Sequence, residues 1–386
     1  MPRPIRTIAL RVAAYIALFS NAFAGQSASA QIGAVFASVA GEKSPGLAVL
    51  VQRNGEIVFE QSYGLRELRT PDARITVGTN FRLASFTKQF TAMATMLLVR
   101  DGKLRYDESL TDVFPDFPAY GRRITIRNLL THTSGLPDYE ELMDRVEKTQ
   151  GPTWSATHQI SDQEVLGLLK RETHGKFEPG TSWAYSNSGY VVLGLIDAKA
   201  AGEPFPRLLH DRIFHPLRMT RSIAYVNGVN KVPERAYGYS KQGEAFVETD
   251  QSSTSATLGD GGVYSNLTDL ATWDKALASH TLLTAQEMSA ALEPVKLSGG
   301  VEPRWPTAPG DDNLNPGQPV SYGFGWFLDS YRGRPRMWHS GTTMGFRTVI
   351  ERFTGDKLTV IVLCNRSDLN ATELALRAAD AALGAP

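Results

Sequence analysis

Residues 85–99 read SFTKQFTAMATMLLV and begin with the only Ser-x-x-Lys pattern in the chain, Ser85 to Lys88. The stretch contains no Gly or Pro and is largely apolar after its first residues, which predicts a buried helix. Side chains three residues apart lie on one helix face, so we expect the Ser85 hydroxyl and the Lys88 amine to meet. A serine beside a low-pKa amine is an activated nucleophile, and a helix N-terminus supplies N–H groups where an oxyanion would form. The pattern alone is weak, because Ser and Lys at this spacing often form a solvated pair.

The composition is that of a soluble globular protein and allows one large domain or two closely packed subdomains. The 386 residues are 42% hydrophobic, and 40 basic residues balance 40 acidic ones. This balance leaves no basic field for nucleic acid and no acidic tail, so we expect no nucleic-acid partner. No internal repeat or low-complexity tract stands out in the chain after residue 30.

The first 30 residues have the pattern of a secretory signal peptide. Three arginines precede an apolar run over residues 12–23, and the small residues 28–30 suit a cleavage site, with Ala24 as an earlier alternative. A run of about a dozen residues is too short to span a bilayer. We therefore expect a periplasmic or secreted protein of residues 31–386 with no stable membrane anchor. Its 37 basic and 40 acidic residues would make it mildly acidic.

The single cysteine, Cys364, lies in the apolar run 358–364. A lone cysteine in a buried strand usually behaves as a small hydrophobe. No disulfide can form within one chain, and no flanking basic residue argues for a reactive thiol.

Strand signals cluster at both chain ends and helical signals lie between them. Asn54-Gly55, between two strand-like runs over 46–60, predicts a hairpin. We expect further strands at 325–328, 336–339, 346–353 and 357–365, and helices at 160–170, 190–200, 267–278, 285–292 and 372–383. The pattern predicts an α+β fold: an antiparallel sheet formed from both chain ends, flanking helices, and an inserted, mostly helical region at about 101–292. Residues 294–319 are rich in Pro, Gly, Asp and Asn and predict a long loop.

Two further stretches carry polar groups at the ends of predicted elements. Tyr185-Ser186-Asn187 follows a turn and precedes an apolar helix, although Tyr-x-Asn also occurs at 225–227 and 264–266. Residues 338–345 read WHSGTTMG and interrupt the end of a predicted strand with two glycines. A glycine in a strand often marks close approach of a ligand to the backbone.

A third stretch, 124–137, reads ITIRNLLTHTSGLP and has no nucleophile–base pair. We expect His132 in this stretch to be a hydrogen-bonded structural residue.

The chain resembles the serine β-lactamase and penicillin-binding superfamily, because it carries stretches similar to the three motifs of that superfamily in the same order. These stretches are Ser85-Phe-Thr-Lys88, Tyr185-Ser-Asn187 and His339-Ser-Gly341. The resemblance is greatest to the branch of class C β-lactamases, D-Ala-D-Ala carboxypeptidases, D-aminopeptidases and β-lactamase-like esterases. It spans roughly residues 40–370, with further landmarks at 129–136, 216–220 and 261–262.

The resemblance implies a serine hydrolase that works through an acyl-enzyme. Ser85 would be the nucleophile, and Lys88 and Tyr185 would move its proton as a coupled pair. The substrate-binding residues that the resemblance implies are Asn187, His339, Ser340, Gly341 and Thr342. Among these, Asn187 would hold Lys88 and the substrate amide, and the backbone N–H of Thr342 would form the oxyanion hole together with that of Ser85. The resemblance implies no cofactor and no metal.

The third motif departs from class C β-lactamases, which carry Lys where this chain has His339. A histidine with an ordinary pKa near 6.5 is mostly neutral at pH 7, so it is a poor fixed cation for a substrate carboxylate. This lowers the expectation of efficient penicillin hydrolysis and resembles some carboxypeptidases and D-aminopeptidases. Nothing marks a class A deacylation glutamate.

Other hydrolase and nucleotide-binding classes lack their sequence patterns. No Gly-x-Ser-x-Gly elbow, clustered histidine ligand run or glycine fingerprint is present. The substrate is expected to be a small molecule or peptide, with D-amino-acid peptides and β-lactams favoured. An esterase and a penicillin-binding sensor without turnover remain alternatives. The shape of the substrate pocket depends on the segment 140–160 and the loop 294–320, whose structure the sequence does not predict. The oligomeric state is not predicted either.

Overall fold

A computed structural model describes residues 28–37, 39, 41–307 and 315–384. The expected signal peptide therefore lies outside the described residues up to position 27, and the expected cleavage motif at 28–30 is helical. Residues 308–314 of the long loop also lie outside the described residues.

The described chain contains eleven strands and eleven α-helices. The strands are β1 (Leu47–Arg53), β2 (Glu56–Tyr63), β3 (Phe81–Arg82), β4 (Ile223–Ala224), β5 (Tyr239–Gln242), β6 (Ala245–Glu248), β7 (Val263–Ser265), β8 (Phe327–Tyr331), β9 (Arg334–Thr343), β10 (Phe346–Phe353) and β11 (Leu358–Cys364). The helices are α1 (28–36), α2 (Lys88–Arg100), α3 (Leu110–Val113), α4 (Ile126–Leu130), α5 (Tyr139–Gln150), α6 (Asp162–Lys170), α7 (Asn187–Ala201), α8 (Phe205–Leu209), α9 (Leu267–Ala278), α10 (Ala285–Leu292) and α11 (Ala371–Leu383).

The main sheet has six antiparallel strands in the order β2-β1-β11-β10-β9-β8, so it combines strands from both ends of the chain. This confirms the predicted α+β class and the predicted sheet. The hairpin at Asn54-Gly55 is also confirmed, with positive φ at both residues. Both residue types tolerate that left-handed conformation, which a two-residue hairpin needs.

Helices cover both faces of this sheet. On one face, Ile32 and Phe36 of α1 and Ala375 and Ala379 of α11 are buried against strand residues such as Val360. The other face packs on the helical region through α2 and α9, where a larger apolar core joins the sheet. The α2 helix, which follows Ser85, is therefore buried between the sheet and the helical region.

Three local expectations need correction. Ser85 does not belong to the helix itself: it lies in a 3-10 turn, Ala84–Thr87, and α2 begins at Lys88. The strand expected at 336–339 is longer, because β9 runs through the glycine at 341 to Thr343. Short strands that the sequence did not suggest also form: β4 and β7 of the helical region pair with the preceding β3 in a β3-β7-β4 sheet, and β5 and β6 form a hairpin.

Cys364 is fully buried in β11, as expected of a small hydrophobe. Burial raises the pKa of its thiol to about 12, which leaves it protonated and unreactive near neutral pH. Among the helices of the described chain, none combines the length and apolarity needed to cross a bilayer.

Candidate active site

The turn that carries Ser85 is held between two sheets. The Leu83 N–H donates to the Val263 carbonyl of β7 at 2.9 Å, and the Leu83 carbonyl accepts from the Thr348 hydroxyl of β10 at 2.7 Å. Ala84 has a φ of 51°, a left-handed conformation that costs energy for a residue with a Cβ. The surrounding bonds therefore fix a strained backbone next to Ser85.

Lys88 is fully buried and its amine has three acceptors at hydrogen-bond distance. The Nζ atom lies 3.0 Å from Ser85 Oγ, 2.7 Å from Asn187 Oδ1 and 3.1 Å from the Asp260 carbonyl oxygen. The predicted meeting of Ser85 and Lys88 is thus present in the structure. Ser85 of the 3-10 turn, Asn187 of α7 and Asp260 of the loop before β7 set the position of the amine.

The second predicted motif lies beside this amine. Asn187 is the first residue of α7, and the Ser186 side chain caps that helix by accepting from the Gly189 N–H. The Lys88 Nζ lies 4.9 Å from the centroid of the Tyr185 ring. The structure therefore brings Ser85, Lys88, Tyr185 and Asn187 together, as the sequence motifs predict.

The third motif lies in β9, next to the Ser85 turn. Pairing between β8 and β9 ends at Phe327 and Trp338, so residues 339–343 have a described strand partner only on the β10 side. Gly341 packs so closely that a Cβ there would lie 1.9 Å from the Leu83 carbonyl oxygen. Only glycine lets β9 approach the turn this closely. Thr342 follows on the same strand and is exposed, while Ser340 is half-buried.

His339 is buried, with both ring nitrogens bound. Its Nδ1 lies 2.7 Å from the Ser340 carbonyl oxygen, which only accepts, so Nδ1 carries the proton. Its Nε2 therefore accepts from the Tyr322 hydroxyl at 3.1 Å. Burial, with a smaller effect of Lys88, lowers the pKa of His339 to about 3, against the bond to Ser340. His339 is consequently a neutral, structurally bonded residue at pH 7.

An aromatic cluster lies beside Tyr185, and sequence reasoning missed it. Its buried members are Trp183, Trp305, Tyr322, Phe327 and Trp338. Trp305 comes from the long loop and stacks on Phe327 with ring centroids 5.5 Å apart. The cluster gives the surroundings of Tyr185 an apolar character, and it fixes the described start of the loop. Its tryptophans are visible in the sequence, but their assembly depends on long-range packing.

A pair of buried carboxyl groups, on Asp260 and Asp162, was also missed. The Asp260 carbonyl binds the amine, while its side chain lies 3.4 Å from the Tyr139 hydroxyl. Burial and then the charge of Asp260 raise the pKa of Asp162 to about 8, although the Leu258 N–H opposes the shift. Asp162 is therefore mostly protonated at pH 7, which limits the negative charge beside Asp260.

The described residues contain no group of three His, Cys, Asp or Glu side chains arranged to hold a metal ion. The chemistry available from the side chains that are present is a serine hydroxyl, a buried amine, a phenol and an amide, next to a strand edge. This set is suited to nucleophilic attack on a carbonyl.

Comparisons with known proteins agree with this geometry. Residues 32–385 match a family model described as Beta-lactamase. A penicillin-binding protein of Bacillus subtilis (strain 168) is 32% identical over 343 residues, covering 85% of this chain and 70% of that protein. A D-aminopeptidase of Cereibacter sphaeroides is 26% identical over 324 residues, covering 84% of this chain and 57% of that protein. These matches confirm the resemblance drawn from the three motifs.

The fold has solved counterparts. The structure of D-amino acid amidase from Ochrobactrum anthropi SV3, complexed with L-phenylalanine amide, matches with a TM-score of 0.72 at 23% identity. The match covers 92% of this chain and 99% of the amidase. At this level of identity, the likeness shows a shared fold.

Proposed function

The chain belongs to the β-lactamase family of serine hydrolases, and we propose that it is a secreted enzyme that cleaves amide, peptide or ester bonds through an acyl-enzyme on Ser85. The observation that carries this proposal is the 3.0 Å distance between Lys88 Nζ and Ser85 Oγ. The amine is held at that distance by Asn187 and by the Asp260 carbonyl.

Acylation begins with the proton of Ser85. A neutral Lys88 has two N–H donors and one lone pair, so it keeps Asn187 and the Asp260 carbonyl as acceptors and receives the Ser85 hydroxyl proton. Full burial favours this neutral form, because desolvation penalises a charged amine. Tyr185, beside the same amine, is the second member of a coupled proton-transfer pair.

Bonds then form and break in two steps, acylation of Ser85 and hydrolysis of the acyl-enzyme. Ser85 Oγ bonds to the substrate carbonyl carbon, and the carbonyl oxygen takes the displaced electron pair. The backbone N–H groups of Ser85 and Thr342 bind this oxyanion, and one such donor contributes about 10²–10³ to the rate. The scissile bond breaks as Tyr185 delivers the proton to the leaving group. Water then attacks the acyl carbon and gives a proton to the Lys88–Tyr185 pair. The bond between the acyl carbon and Ser85 Oγ breaks, the pair returns the proton to Oγ, and the acid product leaves.

The substrate class follows from His339. A neutral histidine with both nitrogens bound supplies no cation for a carboxylate next to the scissile bond. We therefore favour D-amino-acid amides and peptides over penicillins and over peptides recognised by a terminal carboxylate. The names of the D-aminopeptidase and the D-amino acid amidase support this choice. An esterase is the second candidate, because the aromatic cluster beside Tyr185 is apolar.

Secretion forms a separate part of the proposal and rests on the pattern of residues 1–30. Expression of the full chain in a Gram-negative host, followed by fractionation and intact mass, tests it. We expect a periplasmic product that begins near residue 31. A cytoplasmic product of full-length mass would contradict secretion and leave the catalytic proposal untouched.

Parallel kinetics test the catalytic proposal. The panel is a D-alanine anilide, a D-Ala-D-Ala peptide, p-nitrophenyl butyrate and a chromogenic cephalosporin, each with wild type and Ser85→Ala. We expect turnover of the anilide or the ester by the wild type and background rates for the variant. Unchanged hydrolysis by Ser85→Ala would refute the proposal. A β-lactam adduct that persists for hours without turnover of any substrate would instead identify a sensor.

A further inference from the structure

His132 accepts two hydrogen bonds, one from each side of Tyr185. The Ala184 N–H donates to the His132 carbonyl at 3.1 Å, and the Ser186 N–H donates to His132 Nδ1 at 3.1 Å. The His132 ring also lies against the Tyr185 ring, with centroids 4.4 Å apart. The backbone before and after Tyr185 and the face of its ring are thus all fixed by one residue.

The backbone of His132 is itself unusual. Its φ is 59°, in the left-handed region, where histidine and asparagine are tolerated better than most residues with a Cβ. This conformation lets both the carbonyl and the ring of one residue face the Tyr185 segment. The sequence predicted a hydrogen-bonded structural histidine, and the bond to Ser186 confirms that part.

The hydrogen bonds fix the tautomer of His132. Because Nδ1 accepts from an N–H, the proton lies on Nε2, which is buried without a hydrogen-bond partner in the described structure. The rings of Tyr190, Tyr322 and Trp183 enclose the imidazole at centroid distances of 5.2, 4.6 and 5.7 Å. An aromatic enclosure of this kind excludes water, so the ring has no route for exchanging a proton with substrate.

His132 also stays neutral in this enclosure. Burial is the largest cause that holds the pKa of His132 well below its ordinary value, and protonation of the neighbouring Lys88 or His339 would lower that pKa further. The ionisable groups facing it are those two residues and the phenols Tyr185, Tyr190 and Tyr322. A neutral imidazole keeps Nδ1 available as an acceptor throughout the working pH range.

Tyr185 needs such support because it lies in no helix or strand. It precedes α7 in an irregular segment and is only half-buried. A group that transfers a proton has to be held to a fraction of an ångström, and a displacement of about 1 Å costs on the order of 10²-fold in rate. The two bonds to His132 hold the backbone on either side of Tyr185, at Ala184 and at Ser186.

We propose that His132 is the positioning residue of Tyr185, bracketing its backbone and packing on its ring without exchanging a proton itself. This inference rests on the proposed function, in which Tyr185 passes a proton to the leaving group. It predicts a chemical signature: loss of His132 should damage cleavage of poor leaving groups, which need that proton, more than cleavage of good ones.

The test compares His132→Leu, which removes the acceptor, with His132→Asn. Asparagine keeps an oxygen near the Nδ1 position and tolerates the left-handed backbone. Each variant is assayed on a D-alanine anilide and on p-nitrophenyl butyrate. We expect His132→Leu to lose about 10²-fold in kcat/KM on the anilide and less than about tenfold on the ester, and His132→Asn to recover at least tenfold on the anilide. If His132→Leu does not fold, His132→Gln replaces it. The glutamine oxygen reaches the position of Nε2 rather than that of Nδ1, so this variant also removes the acceptor of the Ser186 N–H.

A double-variant cycle separates positioning from general stability. If His132 acts through Tyr185, the loss on the anilide in His132→Leu/Tyr185→Phe should equal that in Tyr185→Phe alone. Equal losses on both substrates, no rescue by asparagine, or additive losses in the cycle would overturn the inference. These outcomes presuppose a wild type acylated on Ser85. Absence of that acylation refutes the proposed function instead, so the two failures are distinguishable.

Discussion

Gly341→Ala changes the contact between β9 and the Ser85 turn more directly than any substitution of a reacting group. An alanine Cβ would lie 1.9 Å from the Leu83 carbonyl oxygen and 2.4 Å from Thr348 Oγ1, whereas ordinary contacts begin near 3.4 Å. The strand must therefore retreat by about 1.5 Å, which also breaks the 2.7 Å bond between Thr348 and Leu83.

The displacement moves the Thr342 N–H away from the proposed oxyanion position. Loss of one such donor costs about 10²–10³ in kcat, and overpacking costs about 1–3 kcal/mol of stability. We expect kcat/KM on the preferred substrate to fall at least about 10²-fold while the protein remains folded. Steady-state kinetics with a thermal melt of the same sample measure both effects.

Gly355→Ala is the matched control, because a Cβ there meets no atom within 4 Å and the residue has no left-handed φ. It should leave activity and melting temperature unchanged. If Gly341→Ala kept kcat/KM within about threefold of wild type, the close approach of β9 to Ser85 would have no catalytic role, and the reasoning would be refuted.

Three other predictions concern single groups. Lys88→Met should slow single-turnover acylation by about 10²–10⁴-fold, and a rate equal to wild type would remove the amine from the mechanism. His339→Lys places an amine where burial disfavours a charge, so pairing with a substrate carboxylate should favour its charged form and raise kcat/KM for a penicillin relative to an uncharged ester by about tenfold; an unchanged ratio would contradict the role given to the neutral histidine. Burial raises the pKa of Asp197 well above its ordinary value, against its bond to Thr95, so the folded state keeps a proton that the unfolded state loses above about pH 4. The stability contribution of Asp197 therefore falls as pH rises, and urea unfolding of Asp197→Asn should show a gain in stability over wild type that grows with pH; a difference that stays constant would mean an ionised carboxylate in the folded state.

The sequence predicted the parts of the fold that repeat a local pattern. The helices at 267–278 and 285–292 were located to the residue, because each combines apolar periodicity with an N-cap, Asn266 or Thr284. The sequence did not predict the strands β3, β4 and β7, because each has only two or three residues. Such short strands are stabilised by their neighbours and have no alternation of their own to recognise.

In the candidate site, too, the features set by local sequence could be predicted and those set by long-range packing could not. The pairing of Ser85 with Lys88 follows from spacing along the chain, and Asn187 follows from its place before an apolar helix. The bracket formed by His132 could not be predicted, because it depends on a left-handed backbone and on a segment more than 50 residues away. The raised pKa of Asp162 depends on burial beside Asp260, which no local pattern reports.

Acylation of Ser85 is the central claim, and mass spectrometry after rapid acid quench tests it most directly. Wild type mixed with the best substrate of the panel, or with a β-lactam, should show one acyl adduct during turnover. Proteolysis should locate that adduct on the peptide containing Ser85, and Ser85→Ala should show none. An adduct on another residue, or equal labelling of Ser85→Ala, would contradict the account.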